Sequence, residues 1–218
     1  MKAVFLAAGK GTRMGELTKG TPKALLKKGG ITLLEHGFEV VPPGTSEIIV
    51  VIEYLGESIR RAFGNEWRGI PIRYVEQGEK KGTAGALWQA REFLISEEFL
   101  ILPCDDIYSA SDMSELAKQA PCMLVSKVTD RVCAGGNIQV DEKMNLLSIN
   151  EGVHHPPCLI ATGAYFLNDK IFDFPLVQIS GRDEYGLPQT LIAYSKEHSV
   201  GIVEATSWVQ VVTADDLK

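Results

Sequence analysis

Four residues near the amino terminus, Gly9, Gly11, Arg13 and Lys23, have the types and spacing to hold an anion. They lie in Ala7-Ala8-Gly9-Lys10-Gly11-Thr12-Arg13-Met14 and in Pro22-Lys23. Small residues and glycines after an apolar run let the backbone come close to a ligand and turn its N–H groups toward phosphate. Arg13 and Lys23 add fixed positive charge where a polyphosphate would lie, so the expected ligand is a nucleotide. The string is neither of the commoner phosphate loops. A Walker A loop spaces its glycines more widely and ends in Gly-Lys-Ser/Thr, and a dinucleotide fingerprint has a third glycine where Met14 stands.

Two further strings carry polar groups at the ends of apolar runs. Leu100-Ile-Leu-Pro-Cys-Asp-Asp-Ile-Tyr108 ends in adjacent carboxylates, Asp105 and Asp106. Taken alone it fits a divalent metal held against phosphate oxygens, since hard oxygen ligands suit Mg²⁺. It fits two acids in a solvated turn equally well. Val75-Glu-Gln-Gly-Glu-Lys-Lys-Gly-Thr-Ala-Gly-Ala-Leu87 reads by itself as a capped helix start after a loop. His154-His155 has no further ligand at metal spacing and is read as a loop pair before Pro156-Pro157.

Leu6-Ala-Ala-Gly-Lys-Gly-Thr-Arg-Met14 followed by Pro22-Lys23 resembles the signature of the sugar-phosphate nucleotidylyltransferases, with the later strings in that family's order. The resemblance implies attack by a sugar-1-phosphate oxygen on the α-phosphorus of an NTP, with release of pyrophosphate. It assigns nucleotide contacts to Leu6, Ala8, Gly9, Gly11, Thr12 and Arg13, and base recognition to Gln77 and Gly82 with Thr83 beside them. Arg13, Lys23 and Asp105 become the catalytic residues, and Asp105 holds Mg²⁺. The family's second metal position falls on Gln210 in Trp208–Leu217, an amide where the family has an acid. Sugar-phosphate contacts fall on Gly136, Glu151, Thr162, Tyr165 and Arg182. Gly152-Val153 replaces the family's Lys-Pro, which removes one phosphate-binding cation. Gln77 offers a donor and an acceptor, which favours the pyrimidines of UTP or dTTP. Ala161, where N-acetylglucosamine enzymes carry Asn, favours an unacetylated hexose. Alternatives on the same core are cytidylyl or uridylyl transfer to phosphocholine or an amino-sugar phosphate, and a regulatory protein that binds nucleotide sugars without turnover.

The chain has 218 residues, 45% of them hydrophobic and 23% charged, the balance of an ordinary globular domain. Its net charge of −6 argues against general nucleic-acid binding. No apolar run approaches the ~18 residues of a membrane span, and no signal-peptide pattern opens the chain. A cytoplasmic protein follows, acting on an NTP and a sugar-1-phosphate; a homo-oligomer is compatible with this reading. Cys104, Cys122, Cys133 and Cys158 form no Cys-x-x-Cys pair and read as reduced thiols.

These residues need a scaffold that gathers loops. Apolar runs at Ala3–Ala8, Glu47–Ile52, Ile72–Val75 and Phe99–Pro103 predict strands, most of them buried on both faces. Ile31–Val41, Glu57–Phe63, Ala84–Ile95 and Ser111–Gln119 predict helices between and after them, the last with its N-cap near Ser111. Strands follow at Met123–Val128, Asn137–Val140, Leu146–Asn150, Ala161–Leu167 and Ser199–Glu204, with helical pieces at Asp169–Asp173 and Gly186–Lys196. The expected fold is α/β: a Rossmann-like, doubly wound, mostly parallel sheet with an inserted sugar-binding β-rich lobe, in one domain over residues 1–218. Ligands in such a sheet bind beyond the carboxyl ends of the strands, where the Gly9 and Asp105 loops fall.

Overall fold

A computed structural model describes residues 1–218. Its framework is β1 (Lys2–Ala7), α1 (Leu33–Glu39), β2 (Glu47–Ile52), α2 (Gly56–Phe63), β3 (Ile70–Glu76), α3 (Gly82–Gln89) and β4 (Glu98–Pro103). Then come α4 (Ala110–Leu116), β5 (Cys122–Val128), β6 (Cys133–Val140), β7 (Leu146–His154), β8 (Cys158–Asn168), α5 (Leu187–Ser195) and β9 (Gly201–Glu204). β1 lies between β2 and β4, parallel to both, with Lys2 opposite Glu47 on one side and Phe99 on the other; β3 adds in parallel outside β2. Ile48 to Ile52 and Phe99 to Leu102 are fully buried, as strands covered on both faces must be.

Alternation along the strands divides the core into two layers. Phe5, Val50 and Leu102 face Leu34, Phe38, Ile59 and Met113 from α1, α2 and α4. Val4, Ile49 and Ile101 face Leu87 and Leu191 from α3 and α5. This is the doubly wound arrangement expected from the apolar runs.

The second half extends the same sheet with antiparallel strands. β8 pairs with β4, Tyr165 opposite Ile101, and the β6–β7 hairpin continues outward with Gly136 opposite Glu151. β5 also pairs with β8, with a register shift between Ala161 and Tyr165, and β9 lies parallel on β5. The expected β-rich lobe is thus a continuation of the ten-stranded sheet, carried by β8, which bridges both parts.

Several boundaries differ from expectation. The first helix starts at Leu33, because Ile31–Thr32 pairs with Lys27–Lys28 and Thr32 forms a capping box with Glu35. α3 ends at Gln89 and gives way to a tighter turn at Arg91–Phe93. α4 is capped by Ser109, whose Oγ accepts from Asp112 N at 3.1 Å, two residues before the expected serine. No helix is long and apolar enough to cross a membrane.

Candidate active site

Because β1, β2, β3 and β4 are parallel, the loops after Ala7, Glu76 and Pro103 leave from one edge of the sheet. Beyond Ala7 the backbone turns through Gly11 at φ +63°, where a Cβ would stand 3.0 Å from Lys23 Cβ and 3.1 Å from Thr18 Cγ2. Glycine therefore lets the loop lie on the lysine. Gly9, Thr12 and Arg13 face solvent, and the Arg13 guanidinium makes no ion pair. Leu6 and Ala8 line the strand end with little exposure.

Lys23 is only 7% exposed. Its Nζ lies 2.5 Å from Asp105 Oδ2 and also donates to the Val211 carbonyl. Asp105, on the loop after β4, keeps 28% of its side chain open. Asp106 turns the other way. It is 7% exposed and accepts from Trp208 Nε1 at 3.0 Å and Val211 N at 3.3 Å. Burial, and then the Asp105 charge, push the Asp106 carboxyl up to about 7. The two adjacent acids thus separate into an open one facing Lys23 and a buried one bracing the C-terminal strap.

The motifs pointed to this strap through Gln210, but not to how it is anchored. Trp208–Val209 pairs antiparallel with Ile107–Tyr108, and Val211 packs against Met14 and Leu33. Asp112 accepts from Thr206 N, Thr206 Oγ1 and Ser207 N, which ties the strap to α4. One signal was present in the sequence: a tryptophan indole N–H that becomes buried needs an acceptor. Gln210 sits exposed on the strap, beside Val211, at a cavity of about 530 Å³ that it shares with Arg131, Cys133 and Thr213. Lys23 and Asp105 do not line that cavity, so it lies beside the ion pair and not over it.

On the β3 side, Gln77 Nε2 donates to Lys80 O at 3.1 Å and Gly82 O at 3.3 Å, closing the loop that leads into α3. Gly82 has φ +87°, and a Cβ there would stand 2.4 Å from Tyr185 O, so no other residue fits without displacing the Tyr185 backbone. Thr83 Oγ1 accepts from Leu187 N at 2.9 Å, which ties α3 to the start of α5 and leaves Thr83 its O–H for a ligand.

The residues expected on the sugar side divide. Gly136 and Glu151 face each other across the β6–β7 hairpin, and a Cβ at Gly136 would come within 3.3 Å of Glu151 Oε1. Tyr165 is buried on β8, and its hydroxyl is pushed well up by burial and by the Glu151 charge. Thr162 is a correction: at 2% exposure its hydroxyl donates to Leu124 O at 2.9 Å, and its carbonyl accepts from Tyr108 Oη at 2.7 Å. It braces β8 against β5 and has no open hydroxyl for a sugar. Arg182 stands 68% exposed, 4.0 Å from Glu184, and is not gathered with Lys23.

The donor set bears on a metal. No three His, Cys, Asp or Glu side chains cluster into a ready-made cage. Asp105 is the open carboxylate, and Gln210, exposed on the strap, lines the neighbouring cavity, which Asp105 does not line. This fits a hard cation such as Mg²⁺ that takes most of its ligands from phosphate and water, and does not fit a tightly held resident metal.

A strand-end glycine loop, a buried lysine on an aspartate and a glycine-started helix meet at one edge of a mixed α/β sheet. This chain belongs to the nucleotidyl transferase family, whose model matches residues 2–217. It is 34% identical to the UTP–glucose-1-phosphate uridylyltransferase AglF of Haloferax volcanii, over 88% of this chain and 82% of that one. It is 31% identical to the bifunctional protein GlmU of Methanocaldococcus jannaschii over 92% of this chain, but spans only 48% of that relative. The inositol-1-phosphate CTP transferase of T. maritima has the same fold, with a TM-score of 0.80 at 19% identity, covering 100% of this chain and 91% of that structure.

Proposed function

We propose that this protein transfers a nucleoside monophosphate from UTP or dTTP to a hexose-1-phosphate, releasing pyrophosphate. The observation that carries the reading is the Lys23–Asp105 pair, 2.5 Å apart beneath a glycine loop at the carboxyl edge of the parallel strands. Both reactants are anions and the nucleophile is already ionised, so catalysis is alignment and charge neutralisation, with no general base. Lys23, fixed by Asp105 and the Val211 carbonyl, is the charge aimed at the α-phosphate and the incoming phosphate. Arg13, exposed and unpaired, closes on the β- and γ-phosphates. Leu6, Ala8, Gly9, Gly11 and Thr12 supply the loop around the triphosphate. Mg²⁺, when bound with the nucleotide at Asp105 and Gln210, screens phosphate charge and polarises the α-phosphate.

Gln77, Gly82 and Thr83 form the base side, where Gln77 reads a pyrimidine edge. The likeness to a UTP–glucose-1-phosphate uridylyltransferase supports uridine and glucose as first candidates. Gly136, Glu151 and Tyr165 shape the sugar side, and Arg182 reaches the acceptor phosphate only if its loop swings in. The whole reaction is assigned to a single domain in the cytoplasm, with no nucleic acid or membrane as partner; a homo-oligomer remains compatible. The test is pyrophosphate release across a panel of each NTP with each phosphate acceptor. Turnover of UTP or dTTP with a hexose-1-phosphate supports the reading. Turnover only with phosphocholine or an amino-sugar phosphate would replace the acceptor, and nucleotide binding without pyrophosphate would mean a regulatory protein.

A further inference from the structure

Two of the four cysteines meet in space. Cys133 opens β6 and Cys158 opens β8, and strand pairing sets neither opposite the other: Cys133 faces His154 and Cys158 faces Val128. Their Sγ atoms nevertheless lie 3.1 Å apart, roughly 1 Å beyond a disulfide bond. Both are free thiols. Cys122 is instead spent on a bond to Leu116 O, and Cys104 is buried at the end of β4.

The two sulfurs differ in access. Cys133 is half-buried and lines the 530 Å³ cavity, within reach of a small molecule from solvent. Cys158 is 6% exposed and packs behind it with Val128 and Ile160. We propose that Cys133 and Cys158 form a thiol–disulfide modification site, in which Cys133 first attacks a low-molecular-weight disulfide and Cys158 then resolves the mixed disulfide into an intramolecular bond.

The chemistry balances without help from the protein. The Cys133 thiolate attacks one sulfur of the small disulfide, forming a mixed disulfide and expelling one small thiolate. The Cys158 thiolate then attacks Cys133 Sγ, forming the Cys133–Cys158 bond and expelling the second small thiolate. Two protein thiols are oxidised, one small disulfide is reduced to two thiols, and the protons pass to the departing thiolates. Partial burial and the neighbouring Cys158 thiol push Cys133 up to about 11, against the opposing pull of Arg131. Exchange is therefore slow at neutral pH, and the site responds to a sustained oxidising load.

The bond would close residues 134–157 into a loop. That loop is the β6–β7 hairpin bearing Gly136 and Glu151, so the modification clamps the outer edge of the sheet at its base.

The experiment uses the full reduced chain with oxidised glutathione at about pH 8.5, where thiolate is more abundant. The expected product has lost two hydrogens in intact mass, carries no glutathione, retains two titratable thiols and gives a proteolytic fragment joining Cys133 to Cys158. The Cys158→Ser variant should stop with one glutathione on Cys133, and the Cys133→Ser variant should stay unmodified at Cys158. Both variants should release pyrophosphate at the wild-type rate when reduced. Wild-type protein that keeps four thiols, or that ends with glutathione on Cys133 and no cross-link, would overturn the proposal.

Discussion

Lys23 and Arg13 carry the same charge in opposite settings, and this separates their expected behaviour. Arg13 is exposed and unpaired, so Arg13→Ala should leave the melting temperature within about 2 °C of wild type while turnover falls by about 100-fold or more. Asp105→Asn should lower both. It removes the open carboxylate and strands the buried Lys23 charge, and breaking such a pair costs about 3–5 kcal/mol when fully buried, less here because Asp105 is partly open. Thermal melts beside initial rates test both statements; a stable but inactive Asp105→Asn would show that Lys23 does not depend on it. Gln210 poses a different question. If its amide oxygen reaches the metal, Gln210→Asp should shift the Mg²⁺ dependence of the rate to lower concentration, since a charged hard oxygen replaces a neutral one. A shift to higher Mg²⁺ would place Gln210 away from the metal and leave Asp105 the only protein carboxylate on it.

At the scale of elements, the C-terminal strap is positioned by a carboxylate whose proton is thermodynamically active. Asp106 is raised to about 7 in the folded chain, against 3.8 for the free group, chiefly by burial and then by Asp105. The folded state therefore binds more protons than the unfolded state between these values, and stability falls as pH rises through that window. Below about pH 4 the contribution is fully present, and above about pH 7 it is lost. The steepest slope approaches 1.4 kcal/mol per pH unit. Urea unfolding across pH 4–8 without Mg²⁺ should show this decline, and Asp106→Asn should flatten it. Because Asn keeps only one acceptor for Trp208 Nε1 and Val211 N, the variant should also lose about 1–3 kcal/mol at low pH. A wild-type profile that rises from pH 4 to 7 would contradict this account of Asp106.

Over the whole molecule, the inner half of the sheet was legible and the outer half only in outline. Ile48–Ile52 and Phe99–Leu102 are continuous apolar runs because helices cover both faces, so their parallel pairing could be read locally. The Gly11–Lys23 contact was implied by a motif spanning few residues. By contrast, the join of β8 to β4, the strap's anchorage on Asp106 and the Cys133–Cys158 contact link positions far apart in sequence, and no local period encodes them. Thr162 was misread for the same reason, since its partner, Leu124 O, belongs to another strand.

If Lys23 and Asp105 together align the two anions, a nucleotidyl group passes directly from UTP to the sugar phosphate. The most direct measurement follows UTP labelled at the α-phosphorus with glucose 1-phosphate and Mg²⁺. Label should appear in a nucleotide sugar, matched one-to-one by unlabelled pyrophosphate, with near-complete loss of both products in Asp105→Asn. Label appearing as free UMP, or transfer that survives unchanged in Asp105→Asn, would contradict direct transfer at this pair.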